Sequence, residues 1–475
     1  MKIQYKPLLG IFFIILSLFS FQASQPKTRK PNIVLVYFDD MGFGDIGRTG
    51  AIGYQIPNMD QMAKEGLFFS HFYAPQAVCS ASRAGLLTGC YPNRVGFSGA
   101  LDHTAKVGLN PEEETIAELL KKQGYSTAAY GKWHLGHLPE FLPTQNGFDE
   151  YFGLPYSNDM WPNHPVAKNY YPPLPLIEND KVIATNPDQS QFTTQFTEKT
   201  IGFIQKNKDK PFFVYLAHPM PHVPLFVSDK FKGKSEQGLF GDVLMELDWS
   251  IGQIRKTLVD LKLDENTIVI VTSDNGPWFN YGNHAGSAGG FREGKGTTWE
   301  GGQRVPCLMT WKGVIPAGVV CNNISSGLDI LPTIAEVTGA PLPTKKIDGV
   351  SLWKLLQGDF TEKPRDTFLY YYRANNLEAV RHGKWKLVFP HAGRTYEGFT
   401  PGKDGLPGAV NENYNFMGGL FDLSKDPSER YNVQLDFPEV TKTLMKIADE
   451  AREDLGDDLQ GKAGKNRRAI GKRAN

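Results

Sequence analysis

Cysteine is scarce in this chain: 475 residues carry four, Cys79, Cys90, Cys307 and Cys321. Their spacing matches no paired zinc pattern, and so few thiols over such a length exclude a disulfide-built scaffold. Two bridges among the four remain open; a Cys79 reserved for chemistry would leave three, at least one of them unpaired. Net charge is absent as well, with 51 basic against 51 acidic residues. No global field therefore recruits nucleic acid or a membrane surface. Internal repeats are missing. A single long apolar run occurs, from Leu8 to Phe21, and no second stretch approaches spanning length, so stable membrane insertion is not expected.

That run follows Lys2 and Lys6 and gives way to small or polar residues near Ala23 and Ser24. Residues 1–24 thus have the layout of a secretory signal peptide, the alternative being an uncleaved anchor on a run slightly short for a span. No cysteine follows the run, which argues against a lipid-anchored form. Export is expected, to the periplasm or beyond if the owner is bacterial.

What is present is a globular composition, 40% hydrophobic and 21% charged, on a chain too long for one ordinary core. "NIVLVYF", "STAAYGK", "PFFVYLA" and "NTIVIVTS" read as buried strands. "EETIAELLKKQG", "FTEKTIGFIQKNKD" and "GDVLMELDWSIGQIRKTLVDLKL" carry helical spacing. Their alternation predicts an α/β domain over residues 25–365, a large mixed, mainly parallel sheet sandwiched by helices. Near residue 365 the pattern changes. "TFLYYYRANNLEAVRHGKWKLVFP" and "GLFDL" alternate like antiparallel strands, and "PEVTKTLMKIADEAREDL" reads as an amphipathic helix. A smaller C-terminal α+β domain is expected over 366–460, followed by a basic, disordered tail over 461–475.

Two buried strands end alike, one in Asp39 and Asp40, the other in Asp274 and Asn275. Ligands of open α/β sheets gather outside the carboxyl ends of parallel strands, so these oxygens are candidates to share one crevice. Clustered carboxylates need a cation between them, and hard oxygen donors select Ca²⁺ or Mg²⁺ over zinc. Each pair could also simply cap its strand as a polar turn; jointly, the metal reading leads. In "GKWHLG", Lys132 and His134 stand two apart after an extended segment and are expected on one face, suited to an anionic substrate whose protons move. "AHPMPHVP" puts His218 and His222 at another strand end, and spacing does not choose between them. "REGKGTTWEGG" places Lys295 among glycines that permit close approach, without the spacing of a P-loop.

Cys79 opens "CSASRAGLLTG". Ser80 or Ser82 is expected to cap that helix, with Arg83 one turn on, a setting that would lower a thiol's pKa for a conventional nucleophile. Thiolates oxidise outside the cell, however, and a thiolate hydrolase needs no hard cation. Metal plus lysines describes a site for a tetrahedral oxyanion ester, sulfate or phosphate.

"CSASRAGLLTG" and "GYSTAAYGKWHLG" resemble the two signatures of the formylglycine-dependent sulfatases, with "FDDMGFGD", "SDNGPW" and "GKGTTWEGGQRVP" matching the same family in the same order. The likeness runs from about Pro31 into the C-terminal region and is greatest to the arylsulfatase A and N-acetylgalactosamine-6-sulfatase types. It implies an alkaline-phosphatase-like fold and a Cys79 oxidised to Cα-formylglycine (3-oxoalanine). It further implies one Ca²⁺ bound by Asp39, Asp40, Asp274, Asn275 and residue 79. Arg83 and His134 would hold the hydrated aldehyde, and Lys132, Lys295, His222 and Ser157 would grip the sulfate. The family's Cys-x-Pro-x-Arg core carries Ala81 here, as in bacterial members matured by radical-SAM enzymes. The implied reaction is hydrolysis of sulfate esters on sulfated carbohydrates, such as algal polysaccharide or glycosaminoglycan, with release of inorganic sulfate. The alternatives are a formylglycine phosphodiesterase or phosphonate hydrolase, and a catalytically dead glycan-binding relative. Asp159, Trp161, His164, Trp278, Tyr281 and His284 lie near the motifs and are candidates to read sugar rings.

Overall fold

The computed structural model describes residues 1–4 and 29–473. Beyond its first four residues, the expected signal peptide lies outside the described residues. An eleven-stranded mixed sheet forms the larger domain. At its centre four parallel strands lie side by side in the order Thr267–Ser273, Asn32–Phe38, Phe212–Ala217, Ser126–Lys132. Glu150–Leu154 extends the parallel set, and Arg304–Thr310 pairs antiparallel to Thr267–Ser273 on the other flank.

The continuous apolar run of Asn32–Phe38 is explained by coverage on both faces. Ile33, Leu35 and Tyr37 pack with the helices Cys79–Thr88, Ile116–Lys122 and Ile330–Thr338. Val34, Val36 and Phe38 face the helices Pro57–Glu65, Phe192–Lys206 and Gly238–Asp260. Alternate residues of one strand thus feed two separate cores, and a one-residue slip would exchange them. Ile116–Lys122 starts on a capping box between Thr115 and Glu118. Among the described residues no helix is long and apolar enough to cross a membrane.

A four-stranded antiparallel sheet, Thr367–Tyr372, Asn376–His382, Trp385–Val388 and Gly419–Asp422, builds the smaller domain. Helix Pro438–Leu455 covers it, burying Leu444, Ala448, Ala451 and Leu455. A separate hairpin, His391–Thr395 with Asn411–Phe416, reaches back toward the larger domain.

The tail departs from expectation. Residues 461–473 are not a free basic segment. Gly471–Lys472 pairs with Val107–Gly108 of the larger domain, and the Arg468 guanidinium grips Glu113 from Nε and Nη2, both at 2.7 Å. Glu113 is buried, so the tail's positive charge has a fixed partner rather than solvent. Composition shows the absence of an apolar core in this segment but not an anchor supplied by a distant one.

Candidate active site

The four central parallel strands all point their carboxyl ends the same way, so the residues just beyond them converge. Asp39 and Asp40 follow Asn32–Phe38, Lys132 and His134 close the Ser126–Lys132 strand, His218 and His222 follow Phe212–Ala217, and Asp274 and Asn275 follow Thr267–Ser273. Asp40 and His134 are both held in the left-handed region, at φ 67° and 62°. Non-glycine residues rarely stay there without surrounding constraint, and such strain concentrates at functional sites. The turn at His134 also means that it leaves the strand, so strand alternation is not what brings it near Lys132.

Arg83 ties the two acidic strand ends together. It donates to Asp274 Oδ2 from Nη2 at 2.8 Å and from Nε at 3.1 Å, approaches Asp39 Oδ2 at 3.3 Å, and donates to the Lys132 carbonyl at 2.8 Å. Lys132 Nζ pairs with Asp39 Oδ2 and donates to Ser157 Oγ at 3.1 Å. Lys295 Nζ pairs with Asp40 at 2.7 Å and lies 4.4 Å from the centroid of the Trp278 ring. Asn275 Nδ2 donates to Asp40 Oδ1 at 2.7 Å, and His222 Nε2 stands 3.8 Å from Asp40 Oδ2. His218 turns away, bonding Ser250 and stacking on Phe38, so His222 is the histidine that enters the site.

Cys79 Sγ and one oxygen each of Asp39 and Asp274 lie within 4.8 Å of one another. All four cysteines are free among the described residues, so no bridge removes Cys79 from this cluster. The helix begins at Cys79 itself, with Val78 as its cap and no side-chain cap bond. Neither serine caps it. Ser80 Oγ accepts from Leu101 N, and Ser82 Oγ bonds the Tyr37 hydroxyl. Nor is the thiol activated: burial pushes Cys79 up, against the pull of Lys132 and Lys295. Unmodified Cys79 is therefore poorly suited to thiolate attack. Ala81 donates its backbone N–H to Gly99 O at 3.2 Å, a bond that a proline there would forfeit.

Electrostatics shows what the cluster wants. Burial alone would raise Asp39, but Lys132, His222, Arg83 and Lys295 together hold it well below the usual carboxylate range. Burial and the neighbouring Asp39 charge push Asp274 up instead. Arg83, Lys132 and Lys295 match the three carboxylates in number, yet burial and Asp39 still leave Asp274 raised, so a further cation between the two would be accommodated. Among the described residues, Asp39 Oδ1 and Asn275 Oδ1 are buried without a hydrogen-bond partner. Unpartnered hard oxygens beside repelling carboxylates fit a divalent oxygen-seeking cation. His134 donates from Nε2 to Leu101 O at 2.8 Å, leaving Nδ1 buried and unpartnered. Burial first and Lys132 next keep its ring neutral.

Of the proposed sugar readers, Trp278 is at the site, its ring centroid 5.5 Å from that of His222 and 4.9 Å from that of Tyr281. Among the described residues, Asp159 Oδ1, Trp161 Nε1 and His284 Nδ1 are buried and have no partner. His164 instead accepts from the backbone of Val166 and Ala167, a local turn role. Sequence reasoning missed Leu101, whose carbonyl orients His134, and Tyr396, whose hydroxyl meets the Lys295 carbonyl at 2.6 Å. A backbone acceptor has no residue-type signal, and nothing in sequence links position 396 to position 295.

This fold and this pocket define an alkaline-phosphatase-like sulfuric ester hydrolase. The chain belongs to the sulfatase family: the Sulfatase family profile matches residues 31–340, and the C-terminal region of aryl-sulfatase matches 363–469. It is 38% identical to human arylsulfatase A over 458 residues, covering 90% of this chain and 89% of that protein. With human N-acetylgalactosamine-6-sulfatase it shares 37% identity over 451 residues, 88% of this chain and 84% of the other. The crystal structure of the PsFucS1 sulfatase from Pseudoalteromonas sp. superposes with TM-score 0.81 at 28% identity, over 93% of this chain and 92% of that one. A 6S-sulfatase from a Bacteroides thetaiotaomicron locus for metabolism of multiple glycosaminoglycans gives 0.78 at 27%, over 90% and 100%.

Proposed function

We propose that this protein is exported and hydrolyses sulfate esters of carbohydrates, with residue 79 as nucleophile after its thiol is oxidised to Cα-formylglycine. The observation that carries the reading is Cys79 Sγ set among Asp39 and Asp274 oxygens, in a buried pocket with Lys132, Lys295 and His222. Once hydrated, the aldehyde supplies two hydroxyls, one to displace the alcohol from sulfur and one to expel sulfate afterwards. A Ca²⁺ held by Asp39, Asp40, Asp274, Asn275 and residue 79 would supply charge neutralisation and Lewis acidity.

The chain's own residues do the rest. Lys132 and Lys295 hold raised pKa values, burial being outweighed by Asp39 for the first and Asp40 for the second, so both stay cationic and neutralise sulfate oxygens. Ser157, already bonded to Lys132, adds a hydroxyl donor. His134 presents a bare Nδ1 that can accept a proton from a hydroxyl at residue 79. His222 is pushed down by burial and by Lys295 and, with Nδ1 donating to Val223 O, presents a bare Nε2; protonated there when the anionic substrate binds, it passes that proton to the leaving alcohol more readily than Lys295 would.

Carbohydrate as the alcohol is supported by Trp278 and Tyr281 at the pocket and by the neighbours. The structure of Ps i-CgsB with a neocarrahexaose shares 27% identity with this chain. Maturation is assigned to a radical-SAM type enzyme on the strength of Ala81. The test pairs mass spectrometry of the peptide carrying residue 79, expected to show –CHO in place of –CH₂SH, with sulfate release from a panel of defined sulfated oligosaccharides. Cys79→Ala should abolish release while the fold persists. Retained turnover in that variant, or a stronger preference for phosphate esters, overturns the proposal.

A further inference from the structure

The segment carrying Lys295 is gripped by the C-terminal domain at Glu293, Lys295 and Thr298. Glu293 stands at φ 57°, and its two carboxylate oxygens accept from Thr395 Oγ1 and from Tyr396 N. The Lys295 carbonyl accepts from Tyr396 Oη at 2.6 Å and from Arg394 Nη1 at 3.4 Å. At Gly296, φ is 79°, a backbone conformation that favours glycine, and an added Cβ would meet Arg394 Nη1 at 2.9 Å, so the Arg394 guanidinium lies directly against this loop. Thr298 donates to Glu378 at 2.7 Å, and its carbonyl accepts from Lys386 at 2.8 Å. The opposite edge of the loop binds the larger domain, Lys295 N donating to Pro277 O and Gly296 N to Ala77 O, both at 2.9 Å. Ala77 lies two residues before Cys79.

We propose that Tyr396, buttressed by Arg394, is the positioning residue of Lys295: its hydroxyl fixes the main chain from which Lys295 reaches into the sulfate pocket. This rests on the assignment of Lys295 to sulfate binding. The C-terminal domain is thereby part of the catalytic apparatus, although none of its residues enters the pocket's cluster of carboxylates. A backbone held at both N and C=O leaves only the side-chain torsions of Lys295 free, and Asp40 and the Trp278 face limit those. Freeing the carbonyl lets the ammonium drift from the position that binds sulfate, and misplacement of that kind is expensive in turnover.

The test is a double-mutant cycle on the Ca²⁺-loaded, matured protein. Tyr396→Phe keeps the ring against Phe279 and removes only the hydroxyl. Two quantities are measured: the Kd of inorganic sulfate by calorimetry, and kcat and KM for 4-nitrophenyl sulfate. Tyr396→Phe should weaken sulfate and lower kcat/KM by about tenfold each, the scale of one hydrogen bond to a site that must hold its place. In a Lys295→Met background the same change should move either quantity by less than about twofold, because the group it positions is gone. An equal penalty in both backgrounds, no penalty in either, or a loss tracking reduced folded fraction by circular dichroism overturns the proposal. A sulfate Kd indifferent to Lys295→Met overturns it too. A protein that binds sulfate through Lys295 yet releases none from esters refutes the hydrolase reading, and the Kd cycle then still decides the role of Tyr396.

Discussion

Arg83 spends two of its donors, Nε and Nη2, on a single oxygen of Asp274, so the other oxygen is left to accept from Asp40 N at 3.1 Å. One guanidinium thereby sets the spacing of the two acidic strand ends, while its Nη1 reaches the strand that delivers Lys132. Arg83→Met removes the cation and leaves both carboxylates buried, which should cost about 3–5 kcal/mol of stability. Arg83→Lys restores the charge without the fork and should recover only part of that loss. Urea unfolding of both variants against wild type checks the order; equal stability of all three would show that the fork is dispensable.

Calcium should stabilise the protein more at high pH than at low. In the metal-free site burial and Asp39 raise Asp274 to about 7, above its unfolded value of 3.8. A raised folded pKa contributes stability at low pH that is lost as pH climbs through about 7. The proposed Ca²⁺, bound to the ionised site, would restore it. Melting with and without chelator at pH 6 and pH 8 should give the larger calcium shift at pH 8. A larger shift at pH 6 would contradict the electrostatic account.

Acid should weaken the fold through a histidine outside the site. Burial pushes His218 down to about 3 from 6.5. The unfolded chain therefore takes up a proton below 6.5 that the folded chain refuses, and stability falls as pH drops from 6.5 toward about 3. The slope is about 1.4 kcal/mol per pH unit for this one group. His218→Gln, which retains a partner for Ser250, should flatten the acid limb of unfolding free energy against pH. An unchanged slope would remove His218 from the account.

Removing the tail should be felt in the larger domain. Without Arg468, the buried Glu113 loses both hydrogen bonds, and an unsatisfied buried acceptor costs about 1–3 kcal/mol, more when charged. Truncation after Lys465 and the single change Arg468→Ala should both lower the melting temperature, truncation more because it also deletes the Gly471–Lys472 pairing. A truncated protein as stable as the full chain would return the tail to the role of a solvated appendage.

Much of the architecture was legible because the central strands are buried on both faces and so read as unbroken apolar runs bounded by polar ends. The same ends named the acidic pairs, since either pair alone reads as a polar turn but two of them at parallel strand ends point to one shared crevice. Cys79, Arg83, Lys132 and Lys295 were singled out by their local settings, but their roles came from motif resemblance, which spacing alone would have left ambiguous. Three things were hidden. Helix capping at Val78 depends on backbone geometry rather than on the serines that composition suggests. The pull on the Cys79 thiol depends on burial that sequence does not display. Anchoring of the tail, and of the Lys295 loop by Tyr396, depends on contacts across 355 and 101 positions, where no local pattern can record them.

Residue 79 is only 2% exposed. On the proposed reading, a maturase, itself a macromolecule, would reach that thiol more readily before the chain folds around it. Conversion would then compete with folding, and the race between collapse of the chain and arrival of the modifier would set how much of any preparation is active. Slower collapse, whether by lower temperature or by a weakened distal contact, should raise the modified fraction even as it lowers yield.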